Sequence, residues 1–402
     1  MTSPPLNLQA SVDEIMPGVI ADRRHLHMHP ELGFQEHQTA QFIVDRLKTL
    51  GVENIRTGIG KTGVTGLIRG TAKGRGDKTV MLRADMDALP MQEVNDVEYR
   101  SRNDGVMHAC GHDSHVSMQL GTARMLMANR DRFAGTVMVL FQPAEEGGGG
   151  AEAMIKDGVL DEISIDATFG IHIWQHTDVG ILEARPGVAM VGAQGFEIVI
   201  HGKGGHGAKP QSCVDPVVVG ATLVNAMQTL ISREKAPMIP GVVTVGSFQA
   251  GNAANVIPDT AVLTGTTRTV NEEQRVDVEN RLREMCMSIG NAMEARVEVK
   301  LEVGAPPTIN DPVMTELVKS AAREVVGDER TRDGDLRVVS EDYSLFLQQI
   351  PGCYYFVGSR NEKRGLTWGH HHTRFDIDEE AMGIGIETMT RTVLKYFDSV
   401  AG

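Results

Sequence analysis

The chain has 402 residues, 41% of them hydrophobic, and a formal net charge of −14. That length suits two or three domains with substantial cores, and the acidic balance without any Lys/Arg-rich run argues against nucleic acid and anionic membrane surfaces as partners. Residues 1–12 show neither the basic start nor the apolar core of a secretory signal, no later apolar run has the length of a membrane helix, and four widely spaced cysteines (Cys110, Cys213, Cys286, Cys353) make no disulfide or zinc-ribbon pattern. A reducing cytoplasm is the expected location.

In chain order, helical periodicity covers 12–28 and 37–50, and strand-like apolar runs follow at Val64–Ile68 and Thr79–Ala84. A helix is expected from about Ser114 to Asn129, then a strand at 136–141, a helix at 151–157 and a strand at 167–173 that ends near His172. Strands alternating with helices predict an α/β fold with a mostly parallel sheet. From Gly195 the pattern changes to strand (Phe196–His201), helix (215–232), strand (Val242–Phe248), strand (Thr260–Arg268), helix (272–293) and strand (Arg296–Val303). That βαββαβ order is ferredoxin-like. Arg185-Pro186-Gly187 and Gly304-Ala305-Pro306-Pro307 bound it as two linkers. Helices at 311–326 and 341–349, a strand at Tyr354–Val357 and a helix at 378–398 complete the chain. The expected division is a catalytic domain from 1–187 and 305–402, interrupted by an inserted domain at 188–304.

Glu145 and Glu146 follow the apolar run Val137–Phe141 and precede four glycines. Adjacent carboxylates at a strand end repel one another and call for a cation. Ligands bind outside the carboxyl ends of parallel strands, where distant segments meet. Cys110 and His112 in Met107–Asp113, His172, and the run His370–His372 could supply the remaining donors. Thiolate, imidazole and carboxylate suit zinc, cobalt or nickel, with manganese open from the carboxylates. Donors in excess of four point to two divalent metal ions sharing a water, the usual hydrolytic arrangement. One glutamate would bind metal and the other take a proton from the water.

Each residue alone has a plainer reading: Glu-Glu as solvated surface, His172 as a satisfied core histidine, Cys110 as packing. Their joint placement favours the metal centre. His25, His27 and His29 are expected to be structural, because no strand end or carboxylate accompanies them in sequence. Asp87 is expected to orient a ligand from behind, and the role of Asp85 stays open. Gly202–Gly207 matches a dinucleotide-binding glycine pattern, but Pro210 interrupts the required helix; Gly60-Lys61-Thr62 has Ile55 where a phosphate-binding loop needs glycine.

Several motifs together carry a family resemblance. They are Arg-Ala-Asp-Met-Asp-Ala-Leu-Pro (83–90), Met-His-Ala-Cys-Gly-His-Asp (107–113), Gln-Pro-Ala-Glu-Glu-Gly (142–147), Gly-Ile-His (170–172), Gly-Lys-Gly-Gly-His-Gly-Ala (202–208), Asn-Val-Ile-Pro-Asp (255–259) and Ser-Glu-Asp-Tyr (340–343). Over nearly the whole chain it resembles the aminoacylase/carboxypeptidase G metallopeptidases, in particular the amidohydrolase branch of hippurate, N-acyl-amino-acid and auxin-conjugate hydrolases. The resemblance implies hydrolysis of small amides with two metal ions held by Cys110, His112, Glu146, His172 and His371. It implies Glu145 as general base, His206 and Asn255 reaching substrate, and Arg268 on a substrate carboxylate. It also implies a homodimer formed through the inserted domain. The chain departs from that branch at His371-His372-Thr373, where Asn-Pro or Ser-Pro usually follows the last ligand, so the register of that ligand is open by one. Gln211 after Pro210 also replaces the usual histidine.

Overall fold

A computed structural model describes residues 7–74, 76–161, 163–302 and 304–400. The chain divides into two compact units, Met1–Ala189 with Ile309–Asp335 and Leu345–Gly402, and Met190–Thr308 with Leu336–Ser344. Each has its own hydrophobic core.

The first unit is built on an eight-stranded sheet. At its centre four strands run parallel, in the order Thr136–Gln142, Thr79–Asp85, Ala167–Asp178, Gly352–Arg360. Antiparallel pairs flank this centre, among them Glu53–Ile59 on Gly63–Arg69. Every residue of Thr79–Asp85 and Thr136–Gln142 is buried, which explains their continuous rather than alternating apolar runs: a strand covered on both faces needs no polar side. Helices α1 (Leu8–Met28) and α2 (His37–Leu50) precede the sheet, and α3 (His112–Ala128) packs against α1 and the last helix, Glu380–Val400. Asn7 caps α1 by accepting from the Ala10 amide, and Gly51 in the left-handed conformation (φ 76°) ends α2.

In the second unit, strand Gly192–His201 alternates buried and half-buried residues, as a sheet with one packed face requires. Its four antiparallel strands lie in the order Val242–Ala250, Thr260–Thr269, Gly192–His201, Arg296–Leu301. Helices Pro216–Met227 and Glu272–Ala292 complete the strand–helix–strand–strand–helix–strand sequence. Val303, the expected end of the last strand, lies outside the described residues.

Some elements differ from expectation. Helix α3 starts at His112 rather than near Ser114, so His112 occupies the first helical turn. Strand Ala167–Asp178 continues beyond His172 because Gly352–Arg360 pairs with it in register to Trp174 and, after a register shift, again at Asp178. The helix expected at 215–232 breaks at Gln228, and that expected at 341–349 shortens to Ser344–Leu347. The mostly polar edge strand Glu53–Ile59 carries too weak an apolar pattern to be anticipated.

Candidate metal centre

The site lies at the carboxyl end of the central parallel strands. Arg83 is paired with Gly170, so Asp85, the last residue of its strand, is level with His172 on the neighbouring strand. His172 is thus not at the end of its own strand, but the strand beside it stops there. Gly111, in the left-handed region at φ 92°, turns the chain between Cys110 and α3 and delivers His112 at the helix start.

Two imidazoles are locked in the same tautomer. His112 Nδ1 is 2.9 Å from the Asp87 backbone carbonyl and 3.3 Å from Asp87 Oδ1. His172 Nδ1 is 2.5 Å from the Ile173 carbonyl. A carbonyl can only accept, so in both rings Nδ1 carries the proton and the Nε2 lone pair points the other way. His112 Nε2 is buried and makes no hydrogen bond among the described residues. His172 Nε2 lies 3.5 Å from Cys110 Sγ. Tetrahedral bonds from zinc to sulfur and to nitrogen would set those two donors about 3.6 Å apart.

The donor atoms of Cys110, His112 and His172 lie within 4.8 Å of one another, as do those of Cys110, Glu146 and His371, and those of His112, Glu145 and Glu146. Because the sets share members, six side chains form one continuous cluster. His371 Nε2 lies 3.0 Å from Glu146 Oε1, and His371 itself adopts φ 61°. Its neighbours go elsewhere. His370 is half-buried, accepts the Gln175 amide through Nε2 (3.1 Å) and packs 5.3 Å from the His172 ring; His372 stacks on Trp368 at 4.2 Å.

The field in the cluster is negative. Burial, then Glu146 and Glu145, push the Cys110 thiol well above its usual range. Burial opposes charge on His112, yet Asp85 and Asp87 outweigh it and hold the ring up at about 10. A proton on His112 and a metal cation answer the same field, and a cation would also ionise the thiol. The donor set, the tautomers and a buried His112 Nε2 that makes no hydrogen bond and has only Asp85 Oδ1 at 3.7 Å fit a divalent metal.

The turn that carries the glutamates is held from both sides. Ala144, in the left-handed region at φ 49°, donates its amide to Glu36 Oε1 (2.9 Å), and the Glu146 amide donates to Asp87 Oδ2 (3.0 Å). Gly150 is needed because a Cβ there would meet the Pro143 carbonyl at 1.6 Å. Asp87 therefore contacts both His112 and the Glu146 backbone amide.

Other groups have no clear signal in sequence. Asp85 Oδ1 lies 2.6 Å from His115 Nδ1, and His115 Nε2 accepts the Ile173 amide at 2.9 Å. Burial disfavours the Asp85 carboxylate, but His112, His115 and Arg83 hold its pKa well below the usual value. His27, for which no carboxylate was expected, lies fully buried between Asp113 Oδ2 (2.8 Å) and Glu93 Oε1 (3.3 Å). Both carboxylates come from segments remote in the chain. The four-residue spacing of His27 and Arg23 on α1 was the one available hint, since it puts both on one helix face.

His206, Asn255 and Arg268 belong to the second unit. His206 and Val256 are paired in a small two-stranded sheet, and the Gly207 amide donates to the Asn255 carbonyl at 2.8 Å, so His206 and Asn255 stand side by side and exposed. Arg268 sits in the four-stranded sheet between Val242 and Ala193 and donates to the Thr267 carbonyl (2.9 Å).

An α/β sheet with this thiolate, imidazole and carboxylate cluster at its carboxyl edge defines a metallohydrolase-type site. The chain belongs to peptidase family M20/M25/M40, whose sequence profile matches residues 81–395. It is 39% identical over 396 residues to thermostable carboxypeptidase 2 of Saccharolobus solfataricus, covering 97% of this chain and 98% of that one. It is 39% identical over 380 residues to N-acetyl-L-cysteine deacetylase of Bacillus subtilis, covering 94% and 87%. Among solved structures it resembles the Bacillus subtilis YXEP protein, described as a dinuclear metal binding peptidase of the M20 family, with TM-score 0.84, 32% identity and coverage of 96% and 99%.

Proposed function

We propose that this protein is a metal-dependent amidohydrolase that cleaves N-acyl amino acids, or similar small amides, to a carboxylate and an amine. The observation that carries this is the pair of backbone-locked imidazoles, His112 and His172, whose Nε2 atoms face the thiol and paired carboxylates. Cys110, His112, Glu146, His172 and His371 would hold two divalent ions, of zinc, manganese, cobalt or nickel. When bound, such ions lower the pKa of water toward neutrality and polarise the amide carbonyl.

Glu145 takes a proton from the attacking water and returns it to the departing nitrogen, which needs that proton to leave as an amine. His206 donates to the oxygen that becomes negative as the carbonyl is attacked. Asn255 binds the substrate amide, and Arg268, which pairs with no carboxylate among the described residues, binds the substrate carboxylate. Exposed Val218 (52%), Val242 (42%) and Phe248 (39%) on the second unit support a homodimer formed through it. No helix of the described residues is long and apolar enough to cross a membrane. The four cysteines are all free thiols, which supports a reducing cytoplasm.

The experiment is metal content together with hydrolysis of N-acetyl and N-benzoyl amino acids, with and without chelator, in wild type and Glu145→Gln. About two metals per chain, chelator-sensitive turnover and a loss of about 100-fold or more in Glu145→Gln are expected. Full activity of a metal-loaded Glu145→Gln would sink the assignment. The carboxypeptidase relative favours a second reading, cleavage of peptides. Turnover of dipeptides but not N-acyl amino acids would select it.

A further inference from the structure

We infer that Glu36 is a positioning residue for Glu145, acting through the turn that presents it; this rests on the reading of Glu145 as proton acceptor. Glu36 lies at the N-terminal boundary of α2 and is wholly buried. Its carboxylate accepts from two groups: the Thr62 hydroxyl at Oε2 (2.6 Å) and the Ala144 amide at Oε1 (2.9 Å). A buried carboxylate is costly unless its oxygens are satisfied, and both of these are.

Ala144 occupies the left-handed region, where a Cβ is strained. Such a conformation persists only if its surroundings over-determine it. Here they do. Gly33 and Gly148 approach so closely that a Cβ on either would stand 2.9 or 2.6 Å from the Ala144 Cβ, and the Gly150 amide donates to the Ala144 carbonyl at 3.1 Å. Glu36 holds the amide of Ala144, and Asp87 holds the amide of Glu146. Glu145 is the single residue between two amides held by carboxylates. Its backbone direction, and hence the reach of its side chain, is set by these two anchors. Asp87 also touches His112, so it bears on the metal ligands, whereas the contacts of Glu36 lead to Ala144 and Thr62.

The test compares Glu36→Ala, Glu36→Gln, Ala144→Gly and Glu145→Gln for kcat, KM and zinc affinity by competition with a chromophoric chelator. Glu36→Ala should lose about 10- to 100-fold in kcat, the scale of a misplaced catalytic group, with KM and zinc affinity near wild type. Glu36→Gln, which can accept from Ala144 and donate to Thr62, should recover most of kcat. Ala144→Gly suits a positive φ and should fold even if Glu36→Ala does not; it should lower kcat by letting the turn wander, again with zinc retained. Wild-type kcat in Ala144→Gly or Glu36→Ala, beside an inactive Glu145→Gln, would overturn the inference. So would a tenfold loss of zinc affinity in Glu36→Ala, since Glu36 would then serve the ligands. An active, metal-loaded Glu145→Gln would instead overturn the assignment of the base.

Discussion

Arg23 Nε lies 2.9 Å from Asp113 Oδ2, with both side chains withdrawn from solvent. Asp113 follows His112 in the chain. The same guanidinium reaches Asp376 Oδ1 (2.8 Å) and Glu379 Oε1 (3.4 Å), shortly after His371. One cation on α1 thus ties together the two segments that carry His112 and His371. Removing one partner from a buried ionic group leaves charges unpaired, so Arg23→Ala should cost about 3–5 kcal/mol of unfolding free energy, read from urea titrations of wild type and variant.

His27 gives the same region a pH dependence. Burial and Arg23 oppose its charge, but Asp113 and Glu93, each against one ring nitrogen, raise its pKa to about 9. The folded value lies above the ordinary one of 6.5, so the stabilisation is complete below pH 6.5 and is lost as pH rises through 9. The difference in unfolding free energy between wild type and His27→Ala should shrink by about a few kcal/mol from pH 6 to pH 10. A difference that stays constant across this range would mean that His27 is neutral in the folded protein.

Asp87 supports two expected ligands, but its 2.9 Å contact with His112 is made by the backbone carbonyl and survives substitution. Asp87→Ala removes only the carboxylate contacts with His112 and the Glu146 amide. Zinc affinity should therefore fall by about tenfold, the lower end of what orienting partners contribute, as measured by chelator competition.

The three consecutive histidines should separate by phenotype. His371→Ala should lose bound metal, because its Nε2 faces Glu146. His372→Ala should keep full metal content, because that ring stacks on Trp368. His370→Ala leaves the buried Gln175 amide without its acceptor and should cost about 1–3 kcal/mol of stability. Metal analysis and denaturation of the three proteins decide this, and metal loss in His372→Ala rather than His371→Ala would shift the ligand by one position.

Much was legible in the chain itself. Apolar runs such as Val137–Phe141 declare strands buried on both faces, and the alternation of Phe196–His201 declares a sheet with one packed face. Residue chemistry also singles out the thiol, imidazoles and carboxylates that the structure brings together, because few side chains bind metals and those here cluster at strand ends and turns. Periodicity and donor chemistry are local properties, and local properties survive in a one-dimensional string. The tertiary structure decided the rest: that His172 lies mid-strand beside a neighbour that stops at Asp85, that His371 rather than His370 or His372 turns to Glu146, and that Glu36, His115, Arg23 and His27 find buried polar partners in other segments of the chain. Those outcomes depend on register and on pairs up to 356 residues apart, as between Arg23 and Glu379. A buried charge is tolerable only beside its partner, and that partner is chosen by how the chain closes on itself.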